Sequence, residues 1–165
     1  MNNKKQMIQQ LQAYLIENKS AHYRLVYSYT KHSEDAFDVI QESIEKALKA
    51  IHKSAFPESM NAWFYRILVN TSLDYLRKNK RYISYEPEAF ENMVETQDQY
   101  ADFDLHDALE TLPAEIKTIV ILRYFEDLKI ADIAKILDEN ENTIKTRLYR
   151  GLKLLKIELK EETNG

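Results

Sequence analysis

The sequence predicts an all-α chain of two small helical domains joined by an acidic linker, and three observations carry that expectation. Its 165 residues include only 2 Gly and 3 Pro, too few turn formers for a β-sandwich or barrel. Apolar residues recur at helical spacing along most of the chain and never alternate with a period of two over the length of a strand. Charge is unevenly spread, although the total is only −4. Residues 1–81 carry 13 basic and 8 acidic side chains, residues 82–111 carry 9 acidic and no basic ones, and residues 112–165 carry 10 of each. An acidic stretch therefore separates two less acidic blocks. The expected boundaries are residues 1–81, an acidic linker at 82–104, and residues 105–165.

Each element follows from its residues. Met7, Leu11, Tyr14 and Leu15 predict an amphipathic helix over 5–17. A second helix is expected over 20–31, with Tyr23, Val26 and Tyr27 on one face. Ser33 suits an N-cap, with Glu34 and Asp35 in the favourable first turn of a helix that runs to Ile51. Phe37, Ile40, Ile44, Ala47, Leu48 and Ile51 form its expected apolar side. Pro57 breaks the pattern, and a long helix resumes near Asn61 and continues to Arg81. Beyond the acidic stretch, DLHDALETL reads as a short helix ending before Pro113. PAEIKTIVILRYFED reads as a helix with Pro at its first position. IADIAKILDENENTIKTRLYRG closes the series as two helices around a polar corner, with Asn140 as N-cap of the second.

Several function classes are excluded at this stage. Without cysteine there are no disulfides or thiolate metal sites. The first residues lack the apolar core of a signal peptide, and no stretch approaches the ~20 apolar residues that cross a bilayer. His22, His32, His52 and His106 form no metal-binding pair, and two glycines cannot build a phosphate-cradling loop. The expectation is a soluble cytoplasmic protein, not an enzyme, with no catalytic residues, metal, cofactor or small-molecule substrate.

Three surfaces remain. In DAFDVIQE, Asp35, Asp38 and Glu42 line one helical face, which suits either solvent or a basic partner. After Pro57, Arg66, Asn70, Arg77 and Arg81 fall within roughly 60° of one another on a helical wheel. Such a line matches the regular charges of a nucleic-acid backbone, and neighbouring aromatics offer stacking platforms; Trp63 itself fits a core position better. In the last helix, Asn142, Lys145, Thr146, Tyr149, Lys153 and Lys156 share one side and Ile144, Leu148, Gly151 and Leu155 the other. Residues 140–160 hold 6 basic and 2 acidic side chains, as a helix entering a DNA groove requires.

The order DAFDVIQE, AWFYRILVNTSLDYLRK, acidic stretch, LPAEIKTIVILRYFEDLKIADIAKIL, NTIKTRLYRGLKLL resembles the extracytoplasmic-function (ECF) group of the sigma-70 family of bacterial RNA polymerase sigma factors, of the Bacillus type. The resemblance spans residues 20–160. It implies a region 2-like bundle that binds core RNA polymerase through Asp35, Asp38, Gln41 and Glu42. The same bundle would capture the promoter −10 element with His52, Lys53, Ser59, Asn61, Arg66, Asn70 and Arg77. A region 4-like helix-turn-helix would read the −35 element through Glu141, Asn142, Lys145, Thr146, Arg147 and Arg150. It implies promoter DNA, core polymerase and an anti-sigma factor, often membrane-anchored, as partners, and stress response as a setting. Three positions depart from the family pattern. Asp138 and Glu139 stand where the turn usually has Gly and then an apolar residue, and Asn142 replaces a common Gly. A conventional helix-turn-helix regulator binding DNA without polymerase, and a helical adaptor binding only proteins, are the other classes compatible with the residues.

Overall fold

A computed structural model describes residues 2–81 and 105–164, with side chains described from Asn3 to Arg81 and from Ala108 to Leu155. The linker expected at 82–104 lies outside the described residues. The described residues are helical with no strand, and the chain divides into two compact units, Met1–Arg81 and Tyr82–Gly165.

The first unit holds α1 (Asn2–Glu17), α2 (Lys19–Thr30), α3 (Ser33–His52) and α4 (Met60–Lys78). Its core is built from Leu11, Leu25, Val26, Tyr29, Phe64, Leu68 and Ile51, all nearly or fully buried. Two expectations shift here. Ser33 is the first helical residue rather than the cap: the His32 carbonyl accepts from Ala36 N at 2.9 Å, while Ser33 Oγ accepts from the Tyr23 hydroxyl at 3.0 Å. The buried stripe of α3 is Ala36, Val39, Ser43, Ala47 and Ile51; of the expected apolar side Ala47 and Ile51 are buried, and Phe37, Ile40, Ile44 and Leu48 are not. Small side chains let α3 approach α2 and α4 closely. Phe37, exposed by 57%, and the half-buried Ile40 and Ile44 instead line an open groove of about 650 Å³ with Leu15, Ile16 and Tyr23.

The second unit holds α5 (Leu105–Glu110), α6 (Ala114–Val120), α7 (Ile130–Leu137) and α8 (Glu141–Asn164). The helix expected from Pro113 to Asp127 is not uniform. Pro113 is the cap rather than the first residue, and α6 passes into a π-helical segment at Ile121–Phe125. Ile116, Ile119, Leu122, Ile133, Ile144 and Leu154 are fully buried. Gly151 is where α8 meets α6: a Cβ there would lie 2.7 Å from Ile116 Cγ2 and 3.2 Å from Val120 Cγ2. A glycine inside a helix costs about 1 kcal/mol of propensity, so close packing is the compensating gain.

Helix ends follow one rule in both units. Lys31, Ser54, Lys80, Asp127 and Asp138 take left-handed backbone, with φ between 54° and 65°. This is the position glycine usually fills, and the scarcity of glycine places Lys, Ser and Asp there at a cost of roughly 1–2 kcal/mol each.

Candidate nucleic-acid interface

In the first unit the acidic motif of α3 splits into two settings. Asp38, Gln41 and Glu42 are exposed, and Glu42 meets Lys46 one turn on at 4.0 Å. Asp35 is half-buried and accepts a 2.7 Å hydrogen bond from the Tyr75 hydroxyl. That hydroxyl also receives a short bond from Arg81, whose guanidinium donates to the Thr30 carbonyl at 3.3 Å and lies 5.2 Å from the Tyr75 ring centroid. Burial, and then the bond to Asp35, raise the Tyr75 phenol above its ordinary pKa. Arg81 is thus drawn off the basic line expected on α4. The helix ends at Lys78, and the Arg81 N–H closes back on the Leu76 carbonyl at 2.8 Å around a left-handed Lys80.

Arg66, Asn70 and Arg77 keep to one exposed face of α4, with Arg77 paired to Asp74 at 3.2 Å. Trp63 is half-buried. The segment leading into α4 is fixed at both ends. At the end of α3, where His52 and Lys53 are exposed, Ala55 N–H donates to the Ala50 carbonyl at 2.9 Å around a left-handed Ser54. At the start of α4, Ser59 Oγ accepts from Ala62 N at 3.3 Å. Asn61 does not face outward alone: its Oδ1 accepts a 2.8 Å bond from the Tyr14 hydroxyl, which lies 3.0 Å from His22 Nε2. His22 is 2% exposed among Tyr14, Phe64 and Tyr65, and this burial lowers its pKa from 6.5 to about 4.

In the second unit the corner between α7 and α8 closes despite its unusual residues. Asp138 adopts φ 55°, ψ 47°, and Glu139 N–H reaches the Ala134 carbonyl at 3.0 Å. Asn140 caps α8 as expected, its Oδ1 accepting from Thr143 N at 2.8 Å. Glu139, standing where an apolar residue usually packs, meets Arg147 at 3.5 Å across the corner. Arg147 is consequently only 21% exposed in its side chain, and on the helical wheel it sits about 140° from Asn142, at the margin of the buried face. Glu141, Asn142, Lys145 and Thr146 are exposed, as is Tyr149 at 73%; Arg150 is half-buried. Tyr149 shares the face of Lys145 and Thr146 and was legible there from spacing alone. By contrast, spacing placed Tyr14 on the apolar side of its helix without pointing to its bond with Asn61, and no pattern singled out His22.

Among the described residues no three His, Cys, Asp or Glu side chains converge as a metal site, and no helix is long and apolar enough to cross a membrane. What the geometry offers is two polar and basic helix faces, on α4 and α8, and an exposed acidic edge on α3.

The sigma-70 region 2 model matches residues 15–82 and the sigma-70 region 4 model matches residues 102–155. RNA polymerase sigma factor SigV of Bacillus subtilis is 49% identical over 149 residues, covering 90% of this chain and 90% of that protein. The ECF RNA polymerase sigma factor SigW of the same organism is 26% identical, covering 84% of this chain and 83% of SigW. Two solved structures share the fold. They are RpoE in complex with the anti-sigma factor NepR from Bartonella quintana (TM-score 0.67, 24% identity, 90% of this chain and 96% of that one) and CnrH in complex with the cytosolic domain of CnrY (TM-score 0.71, 16% identity, 96% and 93%). Both region models in order, and near-complete coverage at 49% identity, place the chain in the ECF group of the sigma-70 family of RNA polymerase sigma factors.

Proposed function

We propose that the chain is an alternative sigma factor that divides promoter recognition between its two units and is held in check by an anti-sigma factor. The carrying observation is that both sigma regions occur in order on one chain, each with a polar face exposed. In this reading Asp38, Gln41 and Glu42 meet core polymerase, with Asp35 at the edge of that surface. His52, Lys53, Ser59 and Asn61, with Arg66, Asn70 and Arg77 beyond them, take the unpaired −10 strand. Backbone contacts there offset the few kcal/mol of unstacking. Glu141, Asn142, Lys145 and Thr146 reach base edges of the −35 duplex, with Arg147 and Arg150 toward the groove margin.

Each unit alone would hold DNA weakly; polymerase, by carrying both, converts the second contact into an intramolecular one. This resolves how a chain with a net charge of −4 reads DNA: the α8 face is basic on its own account. Sigma factors are non-catalytic initiation factors, and we assign this chain no catalytic residues and a cytoplasmic place of action. An anti-sigma partner, soluble or membrane-anchored, would cover the polymerase-facing and DNA-facing surfaces. The domain boundaries we assign are 1–81 for polymerase and −10 binding, 82–104 for the acidic linker and 105–165 for −35 binding.

The test is transcription in vitro from a genomic promoter library with purified core polymerase. Addition of the protein is expected to yield a defined set of initiation sites sharing −35 and −10 sequences. Tight, specific promoter binding without polymerase, and no new transcripts with it, would favour a conventional regulator instead.

A further inference from the structure

We infer that the Tyr14 hydroxyl is a positioning group for capture of the −10 strand: it fixes the Asn61 amide, and with it the first turn of α4. The inference rests on the reading of the first unit as the −10 module. Tyr14 comes from α1, a helix that contributes no residue to the expected DNA surface. Its hydroxyl lies between Asn61 Oδ1 at 2.8 Å and His22 Nε2 at 3.0 Å. Oδ1 only accepts, so Tyr14 must donate its single proton to Asn61; His22 then carries its proton on Nε2 and donates to Tyr14. The direction is set by Asn61, whose Oδ1 takes the only Tyr14 proton and leaves the Tyr14 oxygen to accept from the ring.

The ring packing sets where the hydroxyl points. Tyr14 meets Phe64 edge-on at 5.9 Å, and His22 meets Phe64 at 5.0 Å and Tyr65 edge-on at 5.1 Å. The hydroxyl is therefore a fixed post rather than a mobile donor. At this end of α4 the Ser59 hydroxyl accepts from Ala62 N at 3.3 Å and the Ser59 carbonyl from Trp63 N at 3.1 Å, and neither bond orients the Asn61 side chain. With Oδ1 held, the Asn61 amide presents its NH2 group away from Tyr14. A donor aimed in one direction is what recognition of an unpaired base edge requires.

The experiment uses holoenzyme assembled from core polymerase and the full chain. A fluorescent single strand carries the −10 sequence of a promoter returned by the transcription test. Tyr14→Phe removes the hydroxyl and keeps the ring. It should weaken capture of that strand about fivefold, the usual worth of one such bond, with core binding and −35 dependence unchanged. Asn61→Ala, which removes the positioned amide itself, should lose at least as much, and the double variant no more than Asn61→Ala alone. Capture by Tyr14→Phe equal to wild type, additive losses, or a parallel fall in core affinity would overturn the inference. Loss of the helical circular-dichroism signal by Tyr14→Phe would also overturn it, because the hydroxyl would then hold the fold rather than orient Asn61. Wild-type holoenzyme that fails to hold the strand would sink the −10 reading itself, an outcome distinct from any of these.

Discussion

The two units are held together by different means. In the first, His22, Thr30, Ser43, Thr71 and Ser72 are buried among the apolar residues. Side-chain bonds there join residues far apart in sequence: Tyr14 to Asn61, Asp35 to Tyr75, Arg81 to the Thr30 carbonyl. In the second, the buried side chains described are almost all aliphatic, and closeness is achieved by Gly151 against Ile116 and Val120. The difference suits the two tasks. On the proposed function, an unpaired strand and a polymerase surface would be met by residues of α3, α4 and the segment between them, whose relative positions need directional bonds. A duplex groove would be met by one helix, for which a packed apolar face suffices.

The largest effect should separate the two settings of the α3 acidic motif. Asp38→Arg reverses a charge on the exposed edge and should weaken core polymerase binding by roughly 3 kcal/mol or more, with stability changed by less than about 0.5 kcal/mol. Asp35→Asn should do the opposite, costing about 1 kcal/mol of stability through the Tyr75 bond and less in binding. Equal binding losses from both would mean that the motif works as one surface. Titration of core polymerase by each labelled variant, beside urea denaturation, decides it.

Next is the response to acid. The folded pKa of His22 is lowered by burial to about 4. As pH falls through about 6.5 the unfolded chain takes up a proton that the folded chain refuses, so stability declines from there toward pH 4 and then levels off. A shift of this size corresponds to about 3 kcal/mol. Trp63, the single tryptophan, reports the first unit. Urea midpoints by its fluorescence should fall over that window in wild type, and by markedly less in His22→Gln. Identical pH profiles would show that the buried junction is not what makes this unit acid-sensitive.

How much of this was legible follows the same division. The second unit reads directly from local pattern: the periodicity of α7 and α8, the Asn140 cap and the basic outer face are all short-range, and they hold in the structure. The first unit reads as helices but not as a network. Ser33 looked like a cap because Ser preceded an acidic first turn, yet its hydroxyl is taken by Tyr23. Arg81 looked like a fourth basic residue on a line, yet a left-handed Lys80 turns it back onto Tyr75. Phe37, Ile40, Ile44 and Leu48 of α3 looked like core, yet Ala36, Val39 and Ser43 are buried beside the expected Ala47 and Ile51. Each miss is a tertiary contact overriding a local preference, which one-dimensional spacing does not encode.

A smaller effect tests the second unit. Lys145 is exposed on the α8 face, whereas Arg147 is tied to Glu139. Lys145→Ala should reduce dependence on the −35 sequence by about 2 kcal/mol, the scale of one base contact, with the thermal midpoint unchanged. Arg147→Ala should act mainly on the corner, lowering the midpoint slightly. Reporter transcription from −35 variants, compared with melting of the same proteins, exposes any reversal of these roles.

The smallest predicted effect is also the one most specific to this chain. Asp138 holds a left-handed backbone, φ 55° and ψ 47°, at the corner where the family usually has glycine. Asp138→Gly removes a steric cost of roughly 1–2 kcal/mol, while the freer unfolded chain takes back about 0.5–1 kcal/mol. The net expectation is a gain of about 0.5 kcal/mol, a rise of roughly 2–4 °C in the midpoint of a unit this size. The rise should appear in far-ultraviolet circular dichroism and leave the Trp63 transition where it was, because the strain is local to the second unit. A fall instead would mean that the Asp138 carboxylate stabilises the corner by more than its backbone costs. Asp138 would then be a stabilising feature of this corner rather than a tolerated departure from the family turn.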